Sequence, residues 1–308
     1  MSQDQLNSID GMMRKITSLQ NDLIQLKGYF LKEGVQEAEV STSVTEILQD
    51  VATDDFQKLK ALLESDAWPH AVNPQLICNI QSEEDKFERA EGILDIMVNE
   101  NLEGKKFLDF GCGEGHVAIK AKEKCELSIG YDIQKSGSND WNDVLTTNFE
   151  KVKSHAPYSV VLLYDVIDHA TNESPVEILE KIKLLTNKDS TIYMRCHPFI
   201  GRHGGHLYQT INKAFMHIVF NKKEMSDLGY ETNDTQAVLK PLAQYKNFID
   251  QSGLVMKNYT IDRYPVEPFF SKNKLVKNRI MSVFSDKGLF PEFQMQQSFV
   301  DYVLTNPS

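Results

Sequence analysis

Gly111, Gly113 and Gly115 stand at alternate positions in Lys106-Phe107-Leu108-Asp109-Phe110-Gly111-Cys112-Gly113-Glu114-Gly115-His116, directly behind a run of apolar residues. Few segments restrict a fold as strongly. Glycine reaches positive φ without a Cβ clash and lets backbone N–H groups come close to a ligand. The apolar lead-in predicts a buried strand, and Val117, Ala118 and Ile119 open a helix behind the turn. Strand, turn and helix are the first half of a β-α-β unit, which implies a mainly parallel sheet. Leu127-Ser128-Ile129-Gly130-Tyr131 supplies the next strand, with Asp132 at its tip. A carboxylate there is placed to hold a ribose diol. The acid before the turn, Asp109, disfavours a bound pyrophosphate and favours an ammonium-bearing ligand.

The G-x-G-x-G spacing differs from the G-x-G-x-x-G of dinucleotide-binding turns. Together with Asp109 and Asp132 it resembles motif I of class I S-adenosylmethionine-dependent methyltransferases. The resemblance covers roughly Ser82 to Tyr264. It implies a Rossmann-like three-layer α/β/α sandwich and S-adenosylmethionine as cofactor. By the same resemblance, Gly111, Gly113 and Gly115 cradle the methionine and ribose portions, and Asp132 accepts from both ribose hydroxyls. Asp109 and Asp165 join the cofactor contacts, and Asp143 lies near the adenine. Arg89, on the helix before the first strand, meets the cofactor carboxylate or is a solvated surface arginine. A turn that binds no nucleotide and an NAD-linked oxidoreductase are the competing readings of the same residues.

The remaining elements follow in the order such a fold requires. Ser82 and Asp85 predict a capping box, opening a helix lined by Phe87, Ala90, Leu94 and Met97. Val144 to Thr147 is a short third strand, and Tyr158 to Ile167 a fully buried fourth. Ser174-Pro175-Val176-Glu177 starts a helix with proline in its first turn. Thr191 to Met194 is a fifth strand, and Leu242 to Ser252 the last helix before a terminal hairpin.

Chemistry is expected after strands four and five. Asp165-Val166-Ile167-Asp168-His169 ends one, and His197, His203 and His206 follow the other. Carboxyl ends of neighbouring strands face one crevice, so the two clusters should meet. The pattern resembles the E-x-x-E-H plus distal histidine of metal-assisted O-methyltransferases, with Asp in both Glu positions. That resemblance implies a divalent Mg, Mn or Zn ion on Asp165, Asp168, His169 and His206. Without a metal, His169 or His203 acts as general base beside Asp168. A purely structural role for the cluster stays open alongside these two. The acceptor would be an oxygen nucleophile on a small molecule or RNA. The alternative is an assembly protein that uses a methyltransferase fold as scaffold.

Outside this core, residues 9 to 30 carry a heptad pattern: Ile9, Ile16, Leu23 and Phe30 on one position, Met12, Leu19 and Leu26 on the other. This predicts self-association as a coiled coil or an amphipathic helix lying on the catalytic domain. The expected division is 1–32 for that helix, 33–81 for a linker and helical segment, 82–265 for the catalytic domain, and 266–308 for an aromatic-rich extension. The extension holds a small basic patch, Lys272, Lys274, Lys277 and Arg279. Lys and Arg total 33 against 44 Asp and Glu, a net charge of −11, so a broad nucleic-acid-coating surface is not expected, although a local basic groove is compatible. No apolar run is long enough to span a membrane, and the polar N-terminus lacks the features of a secretory signal. Four cysteines without a C-x-x-C pair fit free thiols in the cytoplasm.

Overall fold

The computed structural model describes residues 55–72, 74, 82–134, 141–170, 172–199, 201–202, 207, 210–230, 242–263, 268–286 and 297–308. The heptad segment 9–30 and the linker at 33–45 lie outside the described residues. The chain divides into two compact units, residues 1–68 with 268–273 and residues 69–267 with 274–308. In the first unit, helix Asp55–Glu64 buries Leu59, Leu62 and Leu63, one helical face read from the 3.6-residue period. Trp68 is buried there against Phe269 and Phe270, with ring centroids 5.2 and 5.8 Å away.

The second unit holds a seven-stranded sheet. Its elements run α1 (Glu83–Ile93), β1 (Lys106–Phe110), α2 (His116–Lys122), β2 (Leu127–Tyr131), β3 (Leu145–Thr146), α3 (Phe149–Ser154) and β4 (Val160–Tyr164). Then come α4 (Pro175–Leu184), β5 (Thr191–Cys196), α5 (Met216–Val219), α6 (Lys222–Asp227), α7 (Leu242–Ser252), β6 (Val255–Arg263), α8 (Lys274–Asp286) and β7 (Gln297–Thr305). Strand order is β3-β2-β1-β4-β5-β7-β6, with β7 antiparallel to both of its neighbours and the first five strands parallel.

Period-two alternation along the strands sorts the core onto two faces. Leu108, Val161 and Leu163 pack with Val152 of α3, Ile178 and Ile182 of α4, and Tyr245 and Ile249 of α7. Phe107, Val160 and Leu162 pack on the opposite face with Ile93 of α1, the π-helical turn Leu94–Val98 behind it, and Ala121 of α2. This is the three-layer α/β/α sandwich of a Rossmann-like fold. The caps are as the sequence predicts. Ser82 and Asp85 close a capping box on α1, and Ser174 and Glu177 close one on α4 with proline in the first turn.

Two strands differ from expectation. β4 stops at Tyr164 because Asp165 takes φ 57°, a left-handed conformation that ends a strand. More consequentially, the boundary expected at residue 265 falls too early. β7 inserts between β5 and β6, so the C-terminal segment supplies a strand of the sheet. The physical cause is the exposed edge that β5 would otherwise present. Val300, Tyr302 and Leu304 alternate inward and complete the core there. The basic patch is also partly consumed, since Arg279 binds Glu224 of α6 through both terminal nitrogens at 3.1 and 2.9 Å. Cys112, Cys125 and Cys196 are free thiols. Among the described residues no helix is long and apolar enough to cross a membrane.

Candidate active site

The turn between β1 and α2 carries φ +78°, +54° and +92° at Gly111, Gly113 and Gly115. Backbone N–H groups of Gly111 and Cys112 donate to the Tyr131 carbonyl at 2.7 and 3.0 Å, tying the turn to the end of β2. The three glycines serve different ends. A Cβ on Gly111 would stand 2.5 Å from Val166 Cγ2, and one on Gly115 2.5 Å from Leu145 Cδ2. Nothing lies within 4 Å of a Cβ on Gly113, so that glycine faces open space. Its N–H donates to Asp132 Oδ2 at 2.9 Å. Gly130 in β2 is a fourth glycine required by packing, as a Cβ there would meet Leu145 at 2.6 Å.

Two cavities open at the carboxyl ends of β1, β2 and β4, where the strand order reverses direction and α/β sheets bind ligands. One, of about 360 Å³, is lined by Lys86, Arg89, Asp109, Gly113 and Tyr164 among others. The second, of about 230 Å³, is lined by Asp132, Ile133, Val166, His169, Asn172 and neighbours. Gly111 and Asp165 line both, so the cavities adjoin as one cleft. Such a cleft fits an extended ligand with an amino-acid end over Arg89 and a nucleoside end over Asp132. The space beside Gly113, which a Cβ would fill, is where its backbone can approach that ligand.

Charge in the cleft is set by burial. Asp109 is 3 % exposed, and desolvation together with the nearby Asp132 carboxylate pushes its pKa up to about 7. Burial also pushes the Cys112 thiol up, which leaves it unreactive. Arg89 stacks its guanidinium 5.4 Å from the Tyr164 ring centroid. Lys86 is held by Glu83 at 2.9 Å and Glu114 at 2.7 Å, and Glu83 also meets His116 Nε2 at 3.0 Å. The His116 ring is packed edge-on against Phe87 and Trp141.

At the end of β4 the histidine that meets the carboxylates, among the described residues, is His197. Asp168 is fully buried, and its Oδ2 accepts from the His197 backbone N–H at 2.9 Å and from the ring Nδ1 at 3.0 Å. Asp165 Oδ1 lies 3.3 Å from the same Nδ1. Burial opposes the charge on His197, but the two carboxylates prevail and push its pKa up to about 10. Burial likewise opposes ionisation of Asp165, yet the charge and hydrogen bond of His197 hold it below the usual carboxylate range. Among the described residues the metal-capable atoms that gather here within 4.8 Å belong to Asp165, Asp168 and His197. His169 is not among them; it lines the second cavity instead. His203 and His206 lie outside the described residues.

Among the described residues the expected ligand set is only partly gathered, with His197 in the place given to a histidine. The Nδ1 of His197 lies 3.0 Å from Asp168 and 3.3 Å from Asp165, so its imidazolium is the charge these two carboxylates face. A divalent ion would have to displace that Nδ1 proton, while Asp165 Oδ1 and Asp168 Oδ1, buried without a hydrogen-bond partner, are the oxygens that would meet it. The other cluster with metal-ligand spacing, Glu83, Glu114 and His116, holds the Lys86 ammonium against both carboxylates. Asp143, expected near the adenine, is exposed, pairs with Lys122 of α2 and lines neither cavity. The two clusters expected to meet after the fourth and fifth strands do so through His197, because β4 and β5 are adjacent, with Tyr164 and Arg195 paired in register.

Residues 82–211 match the family model for a methyltransferase domain. No curated protein matches the sequence. Among solved structures, the chain is similar to an S-adenosylmethionine-dependent methyltransferase from Archaeoglobus fulgidus, at 15% identity, 76% of this chain, 100% of that one and a TM-score of 0.43. It is similar to the plantazolicin methyltransferase BpumL at 16% identity, 88% of this chain, all of that one and a TM-score of 0.42. Phosphoethanolamine N-methyltransferase 2 of Haemonchus contortus is 12% identical over 72% of this chain and 53% of that one, with a TM-score of 0.42. At such TM-scores these likenesses add nothing to the fold established by the strand order.

Proposed function

We propose that this chain, whose residues 82–211 match the family model for a methyltransferase domain, is a class I S-adenosylmethionine-dependent enzyme that methylates an oxygen nucleophile on a small molecule. The observation that carries this reading is the adjoining pair of cavities over the glycine turn, with Asp132 at one end and Arg89 at the other. Asp132 suits the ribose hydroxyls, Arg89 the cofactor carboxylate, and Asp109 with Asp165 the ammonium. Bound S-adenosylmethionine supplies an electrophilic methyl group on a sulfonium, and the protein's contribution is in-line positioning.

The acceptor class follows from charge. Asp109, Asp132, Asp165 and Glu173 line the cleft, while Lys86 is already neutralised by Glu83 and Glu114. The chain's net charge of −11 gives a phosphate backbone little general attraction, so a small molecule rather than RNA is the favoured acceptor class. His169 lines the cavity near Asp165 and is the group assigned to take the hydroxyl proton.

Calorimetry with S-adenosylhomocysteine tests the cofactor; failure of the folded protein to bind would leave the scaffold reading standing. Labelled methyl transfer into fractionated small-molecule and RNA extracts tests the acceptor, with mass spectrometry locating an O-methyl group. His169→Ala is expected to lower transfer about 10²-fold or more while S-adenosylhomocysteine binding persists. Undiminished transfer would remove His169 from the chemistry.

A further inference from the structure

Arg195 of β5 lays its guanidinium across the sheet between Tyr164 of β4 and Asp301 of β7, where all three of its nitrogens have partners. Nε and Nη2 bind the two carboxylate oxygens of Asp301 in β7, each at 2.6 Å. Nη1 donates to the Tyr164 hydroxyl at 3.0 Å. The guanidinium carbon also lies 3.9 Å from the centroid of Phe299 and 5.0 Å from that of Tyr164. A planar fork held bidentately and stacked on aromatic faces has little freedom left.

Tyr164 is the last residue of β4 and lines the larger cavity. Its ring carries a second guanidinium, that of Arg89, at 5.4 Å. Arg89 reaches the same cavity from α1, and no carboxylate meets it among the described residues. The ring is a contact of Arg89, whose charge faces the cleft. The ring packs on the core cluster around Phe107 and Leu162, and its hydroxyl is held by Arg195, which Asp301 holds in turn. Loss of Asp301 would leave Arg195 a half-buried cation beside Asp165, whose charge already attracts it. The freed guanidinium would turn toward the cleft and compete with the ligand.

We propose that Asp301, Arg195 and Tyr164 form a positioning relay that holds Arg89 for the carboxylate end of the cofactor, so that the C-terminal strand sets affinity for that end alone. The relay rests on the cofactor occupying this cleft. Two probes separate its effect from general stability. S-adenosylhomocysteine carries the amino-acid end, whereas 5′-methylthioadenosine shares the adenosine and thioether and lacks it.

Calorimetric affinities are expected to fall about tenfold for S-adenosylhomocysteine in Tyr164→Phe and Asp301→Asn, with methylthioadenosine unchanged within about twofold. Tyr164→Phe keeps the ring and its volume, so the comparison survives if Asp301→Asn does not fold. Arg89→Ala combined with Tyr164→Phe should lose no more than Arg89→Ala alone. Parallel losses for both ligands, or no loss for either, would overturn the relay. Wild-type protein that binds neither ligand would overturn the cofactor reading itself, and the relay with it.

Discussion

Asp109 is a carboxyl whose chemistry departs from what its type suggests. A carboxyl with a pKa near 7 beside a cation-binding cleft couples ligand binding to proton release. The ammonium and sulfonium charges favour the ionised form, so S-adenosylmethionine affinity should rise with pH through about 7 and level off above it. Asp109→Asn is expected to flatten that profile in calorimetric titrations from pH 5.5 to 8.5. A wild-type profile that is already flat would refute the assignment. The sign for stability is opposite. The folded protein holds a proton on Asp109 that the unfolded chain, with a pKa near 3.8, has released, so unliganded stability falls as pH rises from about 4 to 7. His197 acts in the same direction at higher pH, because its folded pKa of about 10 exceeds the ordinary 6.5. Both groups were visible as residue types in the sequence. Their protonation was not, because it depends on which carboxylates and how much protein surround them.

At the scale of elements, the glycine turn and the helix caps were legible because they are made by neighbours in sequence. Ser82 with Asp85 and Ser174 with Glu177 close their capping boxes within one turn. The reason for each glycine was less legible. Gly111 is required by Val166, which follows β4, and Gly115 by Leu145, in β3. Gly111→Ala combines a methyl 2.5 Å from Val166 with φ +78°, and should destabilise by about 2–4 kcal/mol in urea unfolding. Adding Val166→Ala should relieve the steric part and leave about 1–2 kcal/mol of backbone strain. No relief in the double variant would show that strain alone governs the position.

The whole molecule is where expectation and structure part. The C-terminal stretch reads as an aromatic-rich extension, yet Phe299-Val300-Asp301-Tyr302-Val303-Leu304 is the strand that pairs β5 with β6. Its alternation was readable in advance; its partner was not, because an antiparallel insertion joins residues more than a hundred positions apart. Removing 297–308 should uncover the β5 edge and abolish both cooperative unfolding and S-adenosylhomocysteine binding. Removing 1–32 should preserve binding, since every cleft residue named here lies in residues 69–267 or 274–308. If the heptads at 9–30 associate, that deletion also lowers the mass measured by sedimentation. Loss of binding on deleting 1–32 would place an N-terminal contribution in the site.

The chain order of strands, turn and caps followed from the sequence by itself, because such features are set by backbone sterics and hydrogen bonds over a few residues. The acid-glycine turn and Asp132 likewise carried, in the sequence itself, the resemblance to class I methyltransferases. Only the tertiary structure decided that His197 meets Asp165 and Asp168 while His169 lines the neighbouring cavity. It also decided that Asp143 pairs with Lys122, and that Asp301 reaches the cleft through Arg195 and Tyr164. Those outcomes depend on which strand ends are brought side by side and on burial that strengthens charge pairing. Neither is encoded locally.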